Sequence, residues 1–428
     1  MNKKLSFWSI FLLGINSIMG SGAFLLPQTI YQDMNLMGVV VLLVSAISMG
    51  LIVVCYAKLA GRYEESGGAW IYSYHAFGKY MGFQVGIFTY VLGCCGTACE
   101  IVAFLTTLSS YNHFFSQTYI KWSIIATIIL LFFIINYFGN GLVKVFDNIS
   151  SATKIFAVLL FIIVGVFFIK FSHFSPVIPH AATTSISGFS SHFSRAFSVT
   201  FYMYGGFSLL PVAARSMVNS KKNLPRILTA VMVSLLVIYS AVMFICIGIL
   251  GSRLAYTKIP VADAFLMTVG KWGYFVIIIC MLVGMIGVAF AQSYNTAELP
   301  SSLALEHNML PKWMGKSNRH GAPIISLIVT YIIIFLLTSQ SYLFLVSLVV
   351  LASFCQYVPS ALSVIRLNYL HEFESFDVVS GYVIPFLALI VSMYLIISFS
   401  KEALIIGAIV ILVNSALYFF LGKRLSME

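Results

Sequence analysis

The chemistry this sequence offers is concentrated in a glycine-led phrase that it uses twice. Gly22-Ala23-Phe24-Leu25-Leu26-Pro27 lies inside the first long apolar stretch and Gly206-Phe207-Ser208-Leu209-Leu210-Pro211 inside the sixth, preceded by Gly20-Ser21 and by Gly205 respectively. Glycine is poorly tolerated in a helix interior, so both helices are expected to break there. A half-helix that begins in mid-stretch presents unpaired N–H groups and partial positive charge, which favour an anion. Ser21 and Gly22 begin such a half, so their amides and the Ser21 hydroxyl suit a carboxylate. The halves that end there present unpaired carbonyls, at Ile18 and near Tyr202 and Gly205, which suit an ammonium group. A ligand with both groups is an amino acid. Glycine kept only for close helix packing is the competing reading, and the echo between two stretches weighs against it.

Three charged side chains fall inside apolar stretches, where a charge at a helix centre costs about 3 kcal/mol on insertion scales. Glu100 follows Thr97 at the i, i+3 spacing that shares a helix face, so it could reach the same pocket and accept a cationic side chain such as lysine, ornithine, arginine or a polyamine. A protonated or internally paired glutamate facing another helix is the alternative. Glu298, about three turns from the inner end of the eighth stretch, is expected in a structural or gating pair rather than on the substrate. Lys154 lies near the start of the fifth stretch, where snorkelling to the inner interface is the simple expectation. Tyr202 and Tyr204, at the second break, offer faces to an ammonium or guanidinium group.

The elements that must position these residues are membrane helices. Hydrophobic residues make up 60% of 428, charged residues 9%, and mean hydropathy is +0.99, which excludes an ordinary soluble domain. Twelve spans are expected near residues 7–30, 38–58, 82–110, 122–138, 149–170, 194–214, 227–250, 271–299, 322–338, 342–364, 379–399 and 402–422, forming one membrane domain over 1–428. With the N-terminus inside, sixteen Lys and Arg fall on inner segments and seven on outer ones, so both termini are expected in the cytoplasm. The same bias accounts for the net charge of +11 without a nucleic-acid partner. No signal peptide is expected, because the first stretch runs past Pro27 without a small-residue processing site. The seven cysteines lie in apolar spans and are expected to be small hydrophobes, and the eight histidines form no ligand cluster, so neither a disulfide nor a metal or other cofactor is expected. Residues 59–81 should form an inner interfacial segment anchored by Tyr63, Trp70, Tyr72 and Tyr74, and residues 171–193 an outer loop.

Ser17-Ile18-Met19-Gly20-Ser21-Gly22-Ala23-Phe24-Leu25-Leu26-Pro27, Gly67-Gly68-Ala69-Trp70-Ile71-Tyr72-Ser73-Tyr74 with Gly78 and Gly82-Phe83, and Asn223-Leu224-Pro225 together resemble the amino acid-polyamine-organocation superfamily. Within it the likeness is to the basic amino acid/polyamine antiporters of the arginine/agmatine type. The resemblance implies an all-α, LeuT-like fold of 12 transmembrane helices: an inverted repeat of five spans (7–170 and 194–364) with helices 1 and 6 broken, plus two additional helices (379–422). It implies that the substrate carboxylate meets Ser21 and Gly22 and its ammonium the carbonyls of Ile18, Tyr202 and Gly205. Ser17 would shape the site, Thr97 would hold the distal end of a cationic substrate, and Ser293 falls where the arginine exchanger has a large aromatic. Lys154 would reach toward spans one and eight in place of a sodium ion and carry proton coupling. Two positions depart from the pattern: Ser208 stands where glutamate is common, and Tyr202 where tryptophan is.

The resulting expectation is a secondary active transporter of the inner (plasma) membrane that exchanges a cationic amino acid for its amine or another amino acid. Proton symport of neutral amino acids is the alternative; a channel or a receptor ranks below both, and no catalytic set suggests an enzyme. Expected partners are a small amino acid or amine substrate and membrane lipid, while proton coupling and a homodimer stay open.

Overall fold

The computed structural model describes residues 6–63, 68–138, 141–207, 220–305, 308–373 and 378–425. The regular elements among them are helices: α1 (Phe7–Ile18), α2 (Gly22–Leu25), α3 (Pro27–Met34), α4 (Gly38–Arg62), α5 (Ala69–Phe77), α6 (Lys79–Tyr111), α7 (Thr118–Tyr137), α8 (Gly141–Gly165) and α9 (His180–Thr183). There follow α10 (Ile186–Met203), α11 (Ser220–Leu250), α12 (Pro260–Thr268), α13 (Lys271–Leu305), α14 (Ile324–Leu337), α15 (Tyr342–Tyr369), α16 (Ile384–Tyr394) and α17 (Lys401–Leu425).

Among the described residues nine helical segments are long and apolar enough to cross a membrane, fewer than the twelve expected, and α1 and α14 are shorter apolar helices. The difference falls on the first, sixth and ninth stretches. Helix α1 stops after 12 residues, α14 after 14, and α10 carries Ser, His and Arg along its 18. Twelve residues rise about 18 Å, well short of about 30 Å of hydrocarbon. Helix α10 begins eight residues before the expected start of its span, and the end of that span, from Ser208 on, lies outside the described residues.

Helix α6 occupies the middle. Gly93 and Gly96, one turn apart, let α13 lie close, with Thr296 and Gln292 against them, and α15 and α5 pack on other sides of α6. Helix α8 packs on α13, and α4 on α10 and α11.

The aromatics of residues 59–81 depart from expectation. Trp70 and Tyr72 are core residues, because α5 lies against α6 and α15 and turns them inward. Tyr56 stands edge-on to Tyr72, Phe207 and Tyr357 at centroid distances of 5.9, 5.1 and 5.9 Å, building an aromatic plug from four segments. At the far end of α3, the Arg195 guanidinium of α10 donates to Asp33 Oδ1 from Nε (3.1 Å) and Nη2 (2.8 Å), with His192 Nδ1 2.9 Å from the same oxygen. Helices α3 and α10 also pack on each other, so they are joined along their sides and pinned at one end.

Candidate substrate site

The first break is a turn of three residues. Met19 is extended, the Gly20 amide donates to the Ile18 carbonyl (3.0 Å), and α2 starts at Gly22. The second follows Met203, where the amides of Tyr204 and Gly205 donate to the carbonyls of Phe201 and Tyr202. Gly206 then adopts φ +92°, and a Cβ there would sit 2.6 Å from the Ser17 carbonyl oxygen. The two breaks therefore touch, and only glycine permits it.

Between them lies a cavity of about 80 Å³, faced by Ser17, Ile18, Gly20 and Gly22 of one break and Tyr202, Gly205 and Gly206 of the other. That is room for several water molecules. Helices α6, α13 and α15 close it with Leu92, Gly96, Glu100, Val288, Gln292 and Ser353.

The first break holds an internal charge at each end. Glu100 is buried and takes three hydrogen bonds from Ser21: the amide to Oε1 (3.0 Å) and Oε2 (3.1 Å), and the hydroxyl to Oε1 (3.0 Å). The Tyr342 hydroxyl lies 3.0 Å from Ser21 Oγ. Glycine at position 20 is required for this approach, since a Cβ there would collide with Oε1. At the other end Lys154, 1% exposed, donates from Nζ to the carbonyls of Asn16 (3.0 Å) and Met19 (2.9 Å). The carboxylate thus meets the positive end of one half-helix and the ammonium the negative end of the other. Lys154 does not reach the interface by snorkelling.

The residues expected at the site divide. Ser17, Ile18, Gly22, Glu100, Tyr202 and Gly205 line the cavity, whereas Ser21 lies beneath Glu100. The Gly22 amide makes no hydrogen bond to a described residue and stays open to an anion. The Tyr202 hydroxyl donates to Cys99 Sγ (3.4 Å), which holds the ring against the cavity. Three residues fall elsewhere. The Thr97 hydroxyl turns back to the Gly93 carbonyl (2.9 Å). Ser293 donates to the Phe290 carbonyl (2.7 Å) and lies 3.0 Å from the Tyr331 hydroxyl, within a separate polar cluster. Tyr204 packs on Tyr239 outside the cavity wall. Glu298 is on an exposed face of α13, away from the cavity.

Gln292, Tyr239 and Tyr342 are additional to the expected set. The Tyr239 hydroxyl donates to the Met203 carbonyl (3.1 Å), satisfying one end group of α10. A polar residue in mid-span was the available signal for Gln292, one position from Ser293.

The family model described as "Amino acid permease" matches residues 5–421. An uncharacterized transporter of Mycobacterium tuberculosis is 25% identical over 434 residues, covering 94% of this chain and 88% of its own. Cationic amino acid transporter 9, chloroplastic, of Arabidopsis thaliana is 25% identical over 285 residues, covering 61% of this chain and 48% of its own. The methylthioribose transporter of Bacillus subtilis is 24% identical over 277 residues, covering 61% and 57%.

Proposed function

Since the chain belongs to the amino acid permease family of the amino acid-polyamine-organocation superfamily, a family of transporters and not enzymes, we propose that it carries an amino acid by alternating access around its two helix breaks. The observation that carries this reading is the cavity that Ile18 and Gly22 of one break and Tyr202 and Gly205 of the other line together. The substrate carboxylate goes to the amide end. Its ammonium goes to the carbonyls, each of which has a second lone pair to offer. The proposal includes the LeuT-like arrangement of 7–170 and 194–364 as inverted repeats, with 379–422 added, in the plasma membrane with both termini cytoplasmic.

Of the two modes, proton symport of a neutral amino acid has the better support. Glu100 spends both oxygens on Ser21, so it offers little to a cationic side chain. A substrate carboxylate arriving at the same amide end would place two like charges side by side. A proton on Glu100 removes that repulsion and turns an acceptor-only group into a donor, which loosens Ser21. Proton and substrate then enter together. Lys154 holds the carbonyl end while the charge at the amide end changes. Exchange of a cationic amino acid is the second reading, favoured by the Arabidopsis relative's name, and it requires Glu100 to let go of Ser21.

The test is uptake of labelled amino acids into proteoliposomes with and without an inward proton gradient. A gradient is expected to drive accumulation by the wild type but not by Glu100→Gln, which imitates the protonated state and keeps exchange of internal for external substrate. Gradient-driven accumulation by Glu100→Gln would refute the assignment of the proton, and gradient-independent exchange of lysine or arginine by the wild type would favour the second mode.

A further inference from the structure

Resting on the reading of the cavity as an amino acid site, the geometry points to Gln292 as the residue that reads the substrate side chain, and to an uncharged side chain ending in a hydrogen-bonding group as what it reads. The two breaks account for the head group. What remains for the side chain is the opposite wall, built by α6, α13 and α15 from Leu92, Gly96, Val288, Gln292, Val349, Val350 and Ser353. Of these Gln292 and Ser353 carry polar side chains, and only the carboxamide offers two donors beside its acceptor.

Its carboxamide is placed for the task. It lies across Gly96, where any Cβ would collide with Nε2, so α6 is notched to admit it. Among the described residues it makes no hydrogen bond, although it stands in a wall where Ser17, Glu100, Tyr202 and Tyr239 all have internal partners. A carboxamide offers two donors and an acceptor, so it can serve a hydroxyl or an amide in either role. It provides no counter-charge. Glu100, the one carboxyl group on the cavity among the described residues, is committed to Ser21. A lysine or arginine side chain would enter a wall of valines, one serine and one amide without neutralisation, and a leucine side chain would leave the amide unpaired. A glutamine, asparagine, serine or threonine side chain would satisfy it.

The experiment is uptake of labelled glutamine, leucine and lysine at equal concentration by reconstituted wild type and Gln292→Leu, under the proton gradient used above. The wild type is expected to prefer glutamine over both others by about 10- to 100-fold, the loss that one unpaired buried polar group produces. Gln292→Leu should bring leucine level with or ahead of glutamine, and Gln292→Asn should keep the wild-type order at lower rates. A wild type that prefers lysine or leucine would overturn the inference, and so would an unchanged order in Gln292→Leu; the wild-type order decides even if that variant fails to fold. Entry of no amino acid at all would overturn the transport reading and this inference with it, a result distinct from lost selectivity.

Discussion

Lys154→Ala is expected to lower proton-driven uptake by about 100-fold or more. The lysine is buried and donates to the Asn16 and Met19 carbonyls, so its loss removes both bonds and leaves Glu100 without its compensating charge. Removing one partner from a buried charged arrangement costs about 3–5 kcal/mol. A change of that size exceeds two powers of ten in a binding or conformational equilibrium. The loss should fall on accumulation against a gradient more than on exchange at equal pH, because exchange does not need the charge at the amide end to change. Parallel assays with and without a proton gradient separate the two. Full gradient-driven accumulation by the alanine variant would show that the lysine only braces the turn.

Gly206→Ala should weaken substrate binding by about 10- to 100-fold while leaving the helices intact. Two costs combine. At φ +92° a side chain is strained by about 1–3 kcal/mol, and the new methyl would press on the Ser17 carbonyl. Relief requires the two breaks to part, which spoils the spacing of amide and carbonyl ends across the cavity. Gly205→Ala is the matched control. Its Cβ would meet only the Tyr202 carbonyl, at 3.1 Å and without positive φ, so the effect should be several-fold smaller. Substrate-induced stabilisation of the purified proteins measures both, and equal losses in the two variants would refute the argument from contact between the breaks.

How far the sequence foretold this site can be judged residue by residue. Glycine pairs in two apolar runs located both turns, because glycine is the local cause of each. The destination of Glu100 was not legible. Its spacing from Thr97 fixes which face of α6 it occupies, but not which helix end stands opposite, and that depends on packing between segments 79 residues apart. Ser293 and Gln292 are one residue apart, which on a helix is a rotation of about 100° and so a different neighbour: Gln292 lines the cavity and Ser293 lies against Tyr331. Trp70 and Tyr72 were assigned to the interface because aromatic residues near charges suit either an interface or a core. Only the way α5 lies under α6 and α15 decides between them. Helices α1 and α14 are shorter than the stretches expected there, α1 because the chain turns after Ile18 at the expected break.

The fastening of Asp33 to Arg195 bears on what the protein can refuse. The amide end belongs to the segment running into α3 and one carbonyl end to α10, so the two surfaces proposed to hold opposite poles of the substrate are mounted on a single strut. On the proposed reading the gap between them moves as one piece with that strut, and a β-amino acid, one backbone carbon longer, is expected to be refused.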